Sequence, residues 1–218
     1  MSIDLEDNKN LIGALGSALG SLIAGRFCIR NAQVESEKIN SILEAADNIL
    51  SKTTNLKQKG VHIENIPNSG SAFYGTVSKT IGIDMQKNAL SIFHEIGHAH
   101  ILDKHKMLAK LPLGKKEAIF LSIAAAIAPA VIDRFDIGNY KVQDKAWDVS
   151  PFIIGGIWLP IIIDEAMASI KGQKFAKPFL DKMMSKRLVK ANTAALLTYI
   201  FTGVSYLFLS RLVRDRLE

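Results

Sequence analysis

Four long stretches without a charged residue limit the fold of this chain more than any other feature. Ala191 to Ser210 is twenty residues with no charge. A helix rises ~1.5 Å per residue, so that block alone can cross a hydrocarbon core ~30 Å thick. Leu11 to Gly25, Ala118 to Ile132 and Val149 to Ile163 are fifteen residues each, and they span only with help from their flanks or in a thinned bilayer. The first runs on to Ile29 with only Arg26 interrupting it. Pro129 lies in the second block, and Gly155, Gly156 and Pro160 in the third. Helices interrupted in this way survive in membranes where neighbours bond the freed carbonyls. A mean hydropathy of +0.16 with 22% charged residues is too apolar for an ordinary soluble enzyme. The two middle blocks also fit buried helices of a soluble core, and that alternative stays open.

The first block is rich in small residues: Gly13, Ala14, Gly16, Ser17, Ala18, Gly20 and Ser21. Its Gly16-x-x-x-Gly20 spacing lets another helix approach closely and admits a homo-oligomer. Asp4, Glu6 and Asp7 precede it where a secretory signal would be basic. Cys28 is the single cysteine, which excludes an internal disulfide and a cysteine-based zinc site.

The net charge of +6 is distributed by segment. Twelve Lys and Arg fall between Arg30 and Glu117 and seven between Asp164 and Lys190, against three between Asp133 and Asp148. If all four blocks span, the two rich segments share a side, which the positive-inside bias makes cytoplasmic. Topology therefore explains the charge, and no nucleic-acid partner is expected. Arg211, Arg214 and Arg216 at the far end run against the bias.

Between the first two blocks lies Phe93-His94-Glu95-Ile96-Gly97-His98-Ala99. On a helix, residues four apart project from one face, so His94 and His98 can share a metal with Glu95 beside them. This is the His-Glu-x-x-His order of zinc hydrolases, in which the glutamate is the general base. Asn88, Ala89, Leu90, Ile92, Phe93, Ile96 and Ala99 continue a helical spacing. Gly97 weakens such a helix, so the expectation is that a strand or substrate needs the space.

Catalytic zinc takes three protein ligands and keeps one position open. Ile101 and Lys104 exclude the metzincin third histidine. His105 is three turns along, ~16 Å away, while His100 and Asp103 are out of phase. Glu165, in Asp164-Glu165-Ala166-Met167-Ala168-Ser169, is the best third ligand, because small residues after it let its helix press against the first. Asp164 is the competing ligand. Both acids also fit a plain membrane boundary.

Around this site, Ser36 opens an amphipathic helix with Ile39, Ile42, Leu43, Ala46, Ile49 and Leu50 on one face, closed by Gly60. Its expected role is to pack on the His94 helix. Val61 to Ile66 alternates and stops at Pro67, and Ala72 to Thr76 and Thr80 to Asp84 read as further short strands. An open edge of this small sheet could pair with an extended peptide.

The two motifs together resemble the membrane-embedded zinc metallopeptidases, gluzincins that include the CAAX prenyl proteases, the HtpX heat-shock proteases and the related mitochondrial inner-membrane protease. That family carries HExxH on one helix, a membrane hairpin, and ExxAD on a second helix. Here His94 to His98 matches the first element, Ala118 to Ile163 is similar to the hairpin, and Glu165 to Ala168 matches ExxA. The likeness covers roughly Val61 to Gly172 and is clear only in the two motifs. Ser169 stands where the family has an aspartate that supports a ligating histidine from behind.

The resemblance implies a mainly α (α+β) fold, with membrane helices and a small zincin-like catalytic domain carrying a short β-sheet. The expected organisation is an N-terminal transmembrane segment over 1–30, a catalytic part over 31–117 and a membrane hairpin over 118–163. A third-ligand helix with a basic segment follows over 164–190, and a C-terminal transmembrane helix over 191–218. The expected activity is that of a membrane-bound zinc metalloendopeptidase. Its Zn2+ would be held by His94, His98 and Glu165, with Glu95 as base, a peptide or membrane-protein substrate, the lipid bilayer as partner and the site facing the cytoplasm. The oxyanion donor is open among His100, Tyr74 and Tyr140. Two alternatives are a non-catalytic scaffold or chaperone with a structural metal, and a soluble peptidase whose apolar helices are buried.

Overall fold

A computed structural model describes residues 8–105 and 114–217. The acidic residues Asp4, Glu6 and Asp7, and Lys106 and Lys110 of the basic segment, lie outside them. The described chain is mainly helical, with one small sheet. The helices are α1 (Lys9–Ala32), α2 (Ser36–Asn48), α3 (Met85–Asn88), α4 (Ser91–Lys104), α5 (Lys115–Arg134), α6 (Tyr140–Ala176) and α7 (Lys182–Leu217). The strands are β1 (His62–Asn65), β2 (Ala72–Gly75) and β3 (Thr80–Ile83). Residues 8–23, 114–162 and 197–217 form one compact unit; 24–105 and 163–196 form another.

The second unit has a continuous hydrophobic core. Ile42, Ile49 and Leu50 of the α2 region, Ile81 and Ile83 of β3, and Leu90, Phe93 and Ile96 around α4 are all buried in one cluster. At about 1.5–3 kcal/mol per fully buried large apolar side chain, this cluster is its main stabilising element. The amphipathic face of α2 thus packs against α4, and the helix ends in a π turn over Ile49–Thr53. In the sheet, β3 is central, parallel to β1 and antiparallel to β2. Both edges are short, and every β3 residue is buried.

Asp84 joins this sheet to the helix that follows it. Its Oδ1 accepts from the Gln86 and Lys87 amides as the cap of α3, and its Oδ2 accepts from Gly70 N–H in the β1–β2 connection at 2.9 Å. The even helical spacing from Asn88 to Ala99 predicts one helix, but the chain turns at Ala89 and Leu90 and restarts α4 at Ser91. Leu90 N–H donates to the Ala32 carbonyl across that break.

The first unit is built from the apolar blocks. Its segments of α1, α5, α6 and α7 run antiparallel to their neighbours. Ser17 meets Ser205 while Asn10 meets Asp215, and Trp158 Nε1 donates to Ser122 Oγ while Trp147 Nε1 donates to Asp133. Pro129 has no N–H for the Ala125 carbonyl four residues back, and the Ser150 hydroxyl donates to that carbonyl instead, at 2.7 Å. Ser210 Oγ then pairs with Ser150 Oγ. Among the described residues, Ala118, Ala126, Ile154 and Trp158 form its small buried apolar cluster, while Phe152 is 80% exposed, Phe120 72% and Leu22 68%.

Among the described residues, three helices are long and apolar enough to cross a membrane, namely Lys9–Ala32, Tyr140–Ala176 and Lys182–Arg216. The sequence offers four apolar blocks, of which Ala191 to Ser210 alone can cross unaided. The fifteen uncharged residues of α5 are bracketed by Lys115, Lys116 and Glu117 on one side and Asp133 and Arg134 on the other, which leaves it short. The expected boundary between a hairpin and a third-ligand helix at 163/164 falls inside α6, which continues through it unbroken. Part of the small-residue face of α1 meets α7 of the same chain, another helix approaching closely as the spacing allows. The positions of Gly13 and Gly20 face the rings of Phe208 and Phe201, while Gly16 faces open space.

Candidate metal centre

His94 and His98 lie one helical turn apart on α4, both buried. Their rings meet edge to face with centroids 4.7 Å apart. His94 Nε2 is 3.0 Å from His98 Nε2 and 3.0 Å from Glu165 Oε2, and His98 Nε2 is 3.6 Å from Glu165 Oε1. Ligand atoms bound tetrahedrally at ~2.0–2.1 Å stand about 3.3 Å apart, so these separations bracket the geometry of one shared ion. One ligand atom from each residue lies within 4.8 Å of the others, and the group can hold a metal.

The close approach of α6 to α4 that brings Glu165 here depends on two glycines. A Cβ on Gly97 would sit 2.1 Å from the Ala168 carbonyl oxygen, and one on Gly172 would sit 2.2 Å from that of Phe93. The space beside Gly97, expected to admit a strand or substrate, is occupied by the backbone of α6. Gly172 was not singled out in the sequence, although Ala168-x-x-x-Gly172 is a small-residue pair at helical spacing that signals close packing.

The far nitrogens of both imidazoles also have partners. His98 Nδ1 is 3.1 Å from Asp164 Oδ2, and His94 Nδ1 is 3.2 Å from Ser169 Oγ. Asp164, the competing ligand, therefore lies on the other side of the His98 ring from Glu165. A carboxylate accepts, so His98 Nδ1–H donates to Asp164. The two Nε2 atoms and Glu165 lie within hydrogen-bond distance of one another, and a bound cation would take the place of the protons they share, with both Nε2 lone pairs and the carboxylate as its ligands. Ser169 contacts His94 as a neutral group. Asn192 Nδ2 donates to the Ser169 backbone carbonyl at 3.4 Å; this buried residue lies in the last uncharged block and has no sequence signature of its own.

Glu95 is 7% exposed, beside both histidines on α4. Burial raises its pKa above the usual carboxylate range; the histidines oppose this, and Glu165 and Asp164 add to it. For His98, burial works against the imidazolium, yet hydrogen bonds to Asp164 and Glu165 outweigh it and leave the pKa well above its ordinary value.

The three candidates for stabilising an oxyanion are spread out. His100 stacks edge-on against Phe175 at 4.9 Å with its Nδ1 buried and unpartnered, and burial together with Lys104 and Lys171 lowers its pKa. Tyr74 packs on the core of the second unit, and burial and Asp103 raise its pKa. Tyr140 is exposed at the start of α6, among the residues of the first unit. None of the three hydrogen-bonds the His94, His98 and Glu165 group. His105 caps the end of α4 and is not part of it, and Asp103 pairs with Lys59.

Fold and site together define a helical chain with membrane-length helices and a buried group of two histidines and a glutamate suited to a metal ion. No protein-family model, curated protein or solved structure matches the chain.

Proposed function

We propose that the chain is a membrane-bound zinc metalloendopeptidase with a zincin-like site. The observation that carries this reading is the convergence of His94 Nε2, His98 Nε2 and Glu165 at 3.0–3.6 Å, with Glu95 next in sequence to the first ligand. Two imidazoles and one carboxylate make the ligand set of catalytic zinc rather than of a closed structural site, which takes four protein ligands. Zinc bound there supplies a Lewis acid that polarises a scissile carbonyl and lowers the pKa of water toward ~7.

The protein side chains do the rest. Asp164 and Ser169 fix both histidine rings from behind. The Glu95 carboxylate takes the proton of the attacking water and delivers it to the leaving nitrogen, a role worth about 10²–10⁴-fold in rate. The apolar helices of the first unit lie in the bilayer. With α5 crossing by the help of its flanks, the two segments rich in Lys and Arg, between Arg30 and Glu117 and between Asp164 and Lys190, share a side, and their surplus supports a cytoplasmic site that takes peptides or membrane proteins.

Zinc content and peptide hydrolysis of the detergent-purified protein test this together. One zinc per chain is expected. Glu95→Gln keeps the zinc and loses hydrolysis by roughly 10²–10⁴-fold, and Glu165→Ala loses the zinc. Full biological function in zinc-loaded Glu95→Gln would instead identify a structural metal in a scaffold or chaperone.

A further inference from the structure

Asp164 and Glu165 are adjacent on α6, yet they reach opposite sides of one imidazole. Glu165 approaches the Nε2 side of His98 at 3.6 Å, and Asp164 reaches Nδ1 at 3.1 Å. An atom behind the ring cannot join the ion that Nε2 faces. The second oxygen of Asp164, Oδ1, is buried and has no hydrogen-bond partner. A carboxylate serving packing alone would have both oxygens satisfied, because a buried unpaired acceptor is costly. Among the described residues, the imidazole is the hydrogen-bonding contact seen for this carboxylate. Behind His94 the corresponding contact is the neutral hydroxyl of Ser169, at the position where the resembled peptidases carry an aspartate.

We infer that Asp164 is a positioning residue of the metal centre, the anionic support for His98 that replaces the charge missing behind His94. The inference rests on the metal-site reading above. A negative partner on Nδ1–H fixes the tautomer and makes Nε2 a stronger donor, whereas a hydroxyl orients the ring with less electronic effect. The two ligands are therefore unequal: His98 is backed by a charged group, and His94 is held mainly by geometry. The third-ligand helix carries both the ligand and the support, so one rigid element sets the metal affinity from two directions.

The test is zinc affinity by chelator competition on the full-length, detergent-purified protein, with the Co2+ absorption spectrum and the metal-free thermal midpoint as companion readouts. Asp164→Asn keeps the shape and removes the charge. Its zinc affinity is expected to fall roughly 10- to 100-fold, with the tetrahedral Co2+ bands retained and the metal-free midpoint not lowered. Ser169→Ala is expected to fall less. Wild-type affinity in Asp164→Asn, or a larger loss in Ser169→Ala, would overturn the inference while leaving the site intact. Loss of zinc and of the Co2+ bands as complete as in Glu165→Ala would overturn it too, by making Asp164 a ligand. If His94→Ala and Glu165→Ala bind zinc like wild type, the metal-site reading itself fails.

Discussion

At the residue scale, the first half of the site is local and the second is not. His94, Glu95 and His98 can be read from spacing because helix geometry alone puts positions four apart on one face. The purpose of Gly97 cannot be read that way. Its missing side chain admits another backbone 71 residues or so further along, and only the packed α4–α6 crossing reveals it. Gly97→Ala should lower the thermal midpoint and weaken zinc binding together, since the Ala168 carbonyl cannot swing away as a side chain would. Overpacking of this kind typically costs about 1–3 kcal/mol, and Gly172→Ala should act in the same direction. Thermal unfolding and zinc titration of both variants check this; a normal midpoint in both would mean that the helices are not held this close. The pair Asp164-Glu165 shows the same limit. Sequence marks both acids as candidate ligands, but which side of the imidazole each occupies depends on how α6 is rotated against α4.

At the element scale, short strands are legible where alternation ends at a turn residue, as at Pro67, while boundaries inside continuous apolar spacing are not. The break between α3 and α4 is such a case. The spacing from Asn88 to Ala99 fits a single helix, but the Asp84 cap and the Leu90 to Ala32 hydrogen bond pull the chain into two. Asp84 also supports a pH prediction. The Gly70 amide, opposed by burial and helped by the Lys87 and Gln86 amides, lowers its pKa below the ordinary value. A folded-state pKa below the unfolded ~3.9 contributes stability that is complete above the unfolded value and is lost as pH falls through the folded one. Asn at this position still caps but does not ionise. Wild type should therefore be more stable than Asp84→Asn near pH 7, and thermal midpoints should show that margin shrinking below about pH 4. A margin independent of pH would assign the effect to shape alone.

At the scale of the whole molecule, the two units bury and expose different residues. One buries its large aliphatic side chains; the other turns Phe152, Phe120 and Leu22 outward and gathers its serines inside. Exposed apolar surface of that extent is unstable in water. The protein should accordingly stay in the membrane pellet through alkaline carbonate and leave it only with detergent, and its appearance in the carbonate supernatant would favour a soluble protein with buried helices. The apolar blocks made this unit legible in outline, whereas the Ser150 bond to the carbonyl freed by Pro129 lies beyond any local pattern because its partners are on different helices. The contact between α1 and α7 bears also on how the protein is made. Ser17 and Ser205 are 188 residues apart, so at a translation rate of ~5–20 residues per second the grooved face of α1 waits on the order of ten to forty seconds for its cover. Throughout that interval the small-residue face of the helix stays uncovered, open to any insertase or chaperone that guards nascent apolar segments.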